Sequence, residues 1–201
     1  MAVTAPLTKL EAINSMLHDL GERPVSTLSG TTRLDVTRAI DSLEHVSRAL
    51  QSLGWYFNTE IVRLTVDGSG FYNIPDDWVH IEVLSGGPTT GPLNETPKLF
   101  VRSRKLYDVN NTTNVFTGAA AVKLCVVRLL EYEEMPATAR EYVYASASIR
   151  NQSRTIGSSA VDGDLREQAR VSLATLKEED IDAENLDGTY SPHFVQLMHN
   201  R

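Results

Sequence analysis

The chain carries a single cysteine, Cys125, among 201 residues, so no intrachain disulfide is available and a reducing compartment is the expected place of synthesis. It also lacks a long apolar run. The longest, Val115 to Leu130, is interrupted by Lys123 and Arg128 and falls short of the ~20 residues a spanning helix needs, so no membrane partner is expected. Met1-Ala2-Val3-Thr4-Ala5-Pro6 has no charged region leading into an apolar one, which speaks against a secretory leader. No stretch rich in proline, glycine or serine marks a linker, and no repeat or low-complexity tract is present. Basic excess is missing too: 19 Lys and Arg stand against 26 Asp and Glu, for a net charge of −7. A protein that grips DNA tightly shows the opposite balance, because its cations must neutralise phosphates. The acids are concentrated. From Val161 to Asp187, Asp162, Asp164, Glu167, Glu178, Glu179, Asp180, Asp182, Glu184 and Asp187 face only Arg166, Arg170 and Lys177.

What is present is periodicity. Leu10, Ile13, Leu17 and Leu20 recur at helical steps, with Thr8 placed to cap the start and Gly21 to end the helix in a left-handed residue. An ordered loop over Glu22 to Thr32 contains Pro24. Val36, Ile40, Leu43, Val46 or Ser47, Leu50 and Leu53 then predict a second helix stopped at Gly54, with Glu44 and Arg48 four apart on its solvated edge. After Trp55-Tyr56-Phe57, in which Trp55 and Phe57 read as core anchors, the period falls to two. Val62, Leu64 and Val66 predict a half-buried strand. Asp67 to Gly70 predicts a turn, Phe71 to Ile74 a strand pairing back, and Trp78 to Leu84 another strand. Ser85 to Pro97 reads as a surface loop, and Leu99 to Val109 and Ala120 to Leu130 as two further strands around a polar turn at Asn110 to Thr113. Pro136 opens a third helix running to about Arg154, and Leu165, Ala169, Leu173 and Leu176 mark a fourth, about Asp164 to Asp182.

Helices at both ends and strands between them predict an α+β fold, a bundle of N- and C-terminal helices with a central antiparallel β lobe. The expected segments are 1–57, a helical pair; 58–134, the β lobe; 135–185, helices completing the bundle; and 186–201, a tail, all within one folding unit.

Motifs for catalysis are sparse. His18, His45, His80, His193 and His199 lack metal-ligand spacing, and Gly68-Ser69-Gly70 lacks the third glycine and following helix of a dinucleotide loop. Cys125 lies in an apolar strand, where a thiol is normally inert. No nucleophile elbow or phosphate loop occurs, and no cofactor is expected. Glu131 and Glu133 fit a paired-carboxylate glycan hydrolase loosely, because that chemistry needs two carboxyls facing one cleft. Their place just before the Pro136 helix gives them a structural use instead, as negative charge at a helix start.

Three segments are more specific: Ala12-Ile13-Asn14-Ser15-Met16-Leu17 continuing through Leu20-Gly21-Glu22-Arg23-Pro24-Val25-Ser26-Thr27-Leu28; Leu50-Gln51-Ser52-Leu53-Gly54-Trp55-Tyr56-Phe57-Asn58; and Arg128-Leu129-Leu130-Glu131-Tyr132-Glu133-Glu134-Met135-Pro136. In this order they resemble the tail tubular protein A family, the head-tail adaptor of short-tailed, podovirus-type phages. The likeness runs from about Leu10 to about Arg154. It implies a virion tail protein made in the host bacterial cytoplasm. It also implies a dodecameric ring between portal protein and tail nozzle protein, through which double-stranded DNA passes during genome ejection without sequence-specific binding. No catalytic residue or cofactor is implied.

Within that frame Gly21, Pro24, Gly54, Trp55, Phe57 and Pro136 are structural. Ala145, Ser146, Ala147 and Ser148, small residues that let a backbone come close, are candidates for a ring interface or for packing within the same subunit. Glu178, Glu179, Asp180, Asp182 and Glu184 are candidates for an acidic lumen that repels the DNA backbone. The alternatives from other classes are a virion-associated glycan hydrolase using paired carboxylates and a small DNA-binding accessory protein.

Overall fold

The computed structural model describes residues 8–30, 32–86, 98–116, 121–155 and 162–186. The architecture is α+β, as expected, and the chain divides into two compact units, Met1–Phe57 with Leu130–Arg201, and Asn58–Leu129.

The first unit is helical. Helix α1 (Lys9–Asp19) begins at Thr8, whose hydroxyl accepts the Glu11 N–H while the Glu11 carboxylate accepts the Thr8 N–H. It stops at Gly21, at φ 73°, where Gly21 N–H donates to His18 O and Glu22 N–H to Leu17 O. The cap is worth about 1 kcal/mol. Burying Ile13, Met16 and Leu17, each at most 1% exposed, contributes about 1.5–3 kcal/mol apiece. Packing therefore makes the helix, and the cap fixes where it starts.

Helix α2 (Leu34–Gln51) buries Val36, Ala39, Leu43 and Leu50, and the chain turns away through Gly54 at φ 74°. Leu53 is 44% exposed, outside the stripe expected for it, because the helix has already ended. Glu44 and Arg48 are both exposed, on the solvated edge expected for them, and Glu44 binds Lys9 Nζ of α1 at 2.7 Å.

Later in the chain, helix α3 (Ala137–Thr155) starts one residue after Pro136, whose carbonyl accepts the Arg140 N–H. Helix α4 (Asp162–Leu186) exceeds the expected span at both ends. Leu176 is buried in the main core with α1, α2 and α3, while Leu165 and Ala169 pack on Ala145.

The second unit is antiparallel, with β1 (Thr59–Leu64), β2 (Trp78–Gly86), β3 (Leu99–Arg102), β4 (Lys105–Asp108) and β5 (Val122–Arg128). A three-stranded sheet is ordered β1-β5-β2, and β3 and β4 form a separate hairpin. Val62, Leu64 and Val66 alternate inward as expected, onto a core of Tyr72, Trp78, Leu106, Phe116, Val122, Leu124 and Val126. Cys125 lies between Ile61 and Glu82 in the register, half-buried, and burial pushes its thiol up.

Two expectations are corrected here. Leu99 to Val109 is a hairpin and not one strand, because Ser103 and Arg104 both take left-handed conformations, φ 51° and 58°. Phe71 to Ile74 does not form a strand paired back on β1. Tyr72 O instead accepts Leu106 N–H and Ile74 N–H donates to Arg104 O, lining this stretch against β4. Of the expected loop Ser85 to Pro97, Ser85 and Gly86 complete β2 and the remainder lies outside the described residues.

Candidate assembly surfaces

Side-chain amides organise the three specific segments. Asn14, on α1, grips Val25: its Nδ2 donates to Val25 O at 2.9 Å and its Oδ1 accepts Val25 N–H at 2.8 Å. This holds the loop beside the exposed Pro24 so that Val25 and Leu28 pack on the helical core. Gln51 makes the same two-way grip on Leu130, with bonds of 3.1 and 2.7 Å. In the sheet unit Asn58 and Arg128 exchange bonds of 2.8 and 2.9 Å. Trp55 is 6% exposed and donates its indole N–H to Leu50 O at 2.8 Å, and Phe57 packs half-buried on the same core.

The third segment uses nearly every residue. Arg128 forks to Asp77 at 2.8 Å and Glu60 at 3.3 Å, and the Asp77 bond raises its guanidinium pKa further. Glu131 and Glu134 form a reciprocal cap on the short 3-10 turn Tyr132–Glu134. Glu133 accepts the Lys9 main-chain N–H at 2.8 Å, so its charge serves the start of α1 instead of the α3 start expected from the sequence. Tyr132 and Met135 are buried, and burial raises the Tyr132 hydroxyl far above the usual phenol value. The two carboxylates considered for glycan hydrolysis thus cap different elements. Among the described residues no three His, Cys, Asp or Glu gather to hold a metal ion, and no helix is long and apolar enough to cross a membrane.

The small residues of α3 are mostly covered within the chain. Ala145 and Ala147 are fully covered and Ser148 is 1% exposed, packed within the chain, and only Ser146 is half-buried at a surface. Among the lumen candidates, Glu179 accepts bonds from the Thr138 hydroxyl at 2.7 Å and the Tyr56 hydroxyl at 3.3 Å. Asp180 is 9% exposed and accepts the Tyr56 main-chain N–H at 2.7 Å. Both therefore join α4 to the segment after α2, and Glu179 also reaches the first turn of α3, where the helix dipole favours a carboxylate. Burial, followed by the Glu179 charge, pushes the Tyr56 hydroxyl pKa up. Glu178 and Asp182 are exposed, and the side chain of Glu184 lies outside the described residues.

Two surfaces of the helical unit went unread in the sequence. One is a groove of about 450 Å³ among α2, α3 and α4, with an apolar floor that includes Val46, Leu50, Trp55 and Leu173. Its rim carries Leu53, His45, Arg150 and Lys177. The other is the outward stripe of α4, Val171, Ala174, Glu178 and Ile181, in which Val171 is 45% and Ile181 55% exposed. These residues recur at steps of three and four, but the exposed valine and isoleucine were lost beneath the stronger core stripe.

A family model described as tail tubular protein matches residues 10–186, taking in all four helices and both sheets. The chain belongs to the tail tubular protein family. A tail tubular protein is a structural component of the phage virion tail. The match extends past the three segments that carried the resemblance, through the whole of α4. No curated protein matches the chain.

Proposed function

We propose that this tail tubular protein is the head-tail adaptor of a short-tailed phage. It forms a dodecameric ring seated between the portal protein and the tail nozzle protein, around the path by which DNA leaves. The observation that carries this reading is the family match over residues 10–186. It is supported by a helical unit presenting two unlike surfaces, an apolar groove and an apolar-acidic stripe, since a ring subunit must meet its neighbours through different faces. Synthesis is in the host bacterial cytoplasm, and the role is structural rather than enzymatic.

Double-stranded DNA passes without sequence-specific binding. A net charge of −7 per chain, repeated around a ring, makes a field that repels phosphate. Glu179 and Asp180 are withdrawn from the lumen by their bonds within the chain. Glu178 and Asp182, both exposed, are the described acids proposed for the passage wall.

The test is reconstitution with purified portal and nozzle proteins of the same phage. The full chain brings the two into one sedimenting complex, and the chain alone washes off immobilised DNA at moderate salt. Failure to bind either protein, or retention on DNA under those conditions, contradicts the proposal.

A further inference from the structure

We infer that the α4 stripe of one copy of this chain seats in the α2/α3/α4 groove of the next copy, a head-to-tail contact between two different faces. The inference rests on the ring reading and names the surfaces that build it.

Charge is the first argument. The chain is acidic overall, yet the groove rim gathers His45, Arg150 and Lys177 with no acid paired to any of them among the described residues. The stripe carries the complementary sign. Glu178 lies at its centre, exposed and without a basic partner among the described residues.

Apolar surface is the second argument. Leu53 at the rim is 44% exposed, and Val171 and Ile181 flank Glu178 on the stripe at 45% and 55%. Val171 and Ile181 are ten residues apart, about 15 Å along a helix. A helix laying an i, i+3, i+7, i+10 row into an apolar groove is a recurrent recognition mode. On α4 the side chains of Leu173 and Lys177 line the groove and those of Val171 and Glu178 do not, so one subunit offers both faces at once. Such a contact repeats around an axis instead of ending in a two-fold pair. It also reassigns Glu178 from the passage wall to a subunit contact.

The test uses full-length chains with Cys125→Ser, alone and bound to the portal protein. One chain carries Leu53→Cys, a second Ile181→Cys, and a short bis-maleimide is added. Mixed chains should link as Leu53→Cys to Ile181→Cys pairs, and a chain carrying both changes should give a ladder of oligomers. Separately, Glu178→Lys should lower ring yield about tenfold, and adding Lys177→Glu should restore it, since the swap returns opposite charges to the two faces. A ring that forms without this cross-link, or cross-links only between two Ile181→Cys chains, overturns the inference and leaves the adaptor reading standing. A chain that forms no ring alone or on portal overturns both.

Discussion

Gln51 and Leu130 are joined by two hydrogen bonds across 79 residues of sequence, with the Gln51 Nε2 donating to the Leu130 carbonyl and the Leu130 N–H donating to Gln51 Oε1. Gln51 is 1% exposed and Leu130 is half-buried, so water is a poor substitute for the two bonds. Gln51→Leu leaves a donor and an acceptor unmade, which should cost about 2–4 kcal/mol of stability. A urea unfolding midpoint unchanged by the substitution would mean the clamp is dispensable.

Gly21 and Gly70 separate two effects that a glycine-to-alanine change combines. Both have positive φ, 73° and 82°, but a Cβ at Gly21 meets nothing within 4 Å, while one at Gly70 meets Val115 Cγ1 at 3.2 Å. Gly21→Ala should cost about 1 kcal/mol from backbone strain alone, and Gly70→Ala should cost more. Equal losses in thermal unfolding would show that the Val115 contact yields freely.

Thr8 sets the start of α1 through its hydroxyl and not through burial. Thr8→Ala should lower stability by about 1 kcal/mol, and Thr8→Ser by much less, because serine keeps the oxygen that accepts Glu11 N–H. The comparison is read from paired denaturation curves.

Glu141 gives a pH dependence with a definite sign. It is 4% exposed on α3, accepts a bond from Gln168, has a second oxygen without a partner among the described residues, and burial raises its carboxyl above the ordinary value of 4.5. A raised carboxyl favours the folded state while protonated, below the unfolded value, and that favour is lost as pH climbs through the folded value. Glu141→Gln keeps the acceptor for Gln168 and removes the titration. Its melting temperature should exceed that of the parent chain at neutral pH, and the gap should close as pH falls below the ordinary glutamate value. A gap that widens on acidification contradicts this account.

The helices were legible where local chemistry fixes them. Thr8, Gly21 and Gly54 announce their boundaries because a cap or a left-handed residue depends on neighbours only a few positions away. The β3–β4 turn was not legible, because Ser103 and Arg104 occupy backbone regions that glycine and asparagine usually mark. Phe71 to Ile74 was misplaced for another reason: its partner is β4, some thirty residues onward, and alternation does not name a partner. The acids of α4 show the same limit. Glu179 and Asp180 look like their neighbours in sequence, and only Tyr56 and Thr138, brought from distant segments, set them apart from Glu178. Asn14, Gln51 and Asn58 did lie within the segments that carried the resemblance, and polar residues set among apolar ones were the available sign of the clamps.

The central claim is that this chain works as a ring on the portal. Its most direct test is the solution mass of the purified full-length protein, measured alone and after mixing with the portal protein of the same phage. The account predicts a complex that gains the mass of a dozen chains on portal, whether or not the chain is monomeric before mixing. A chain that stays monomeric in the presence of portal and of nozzle would contradict it.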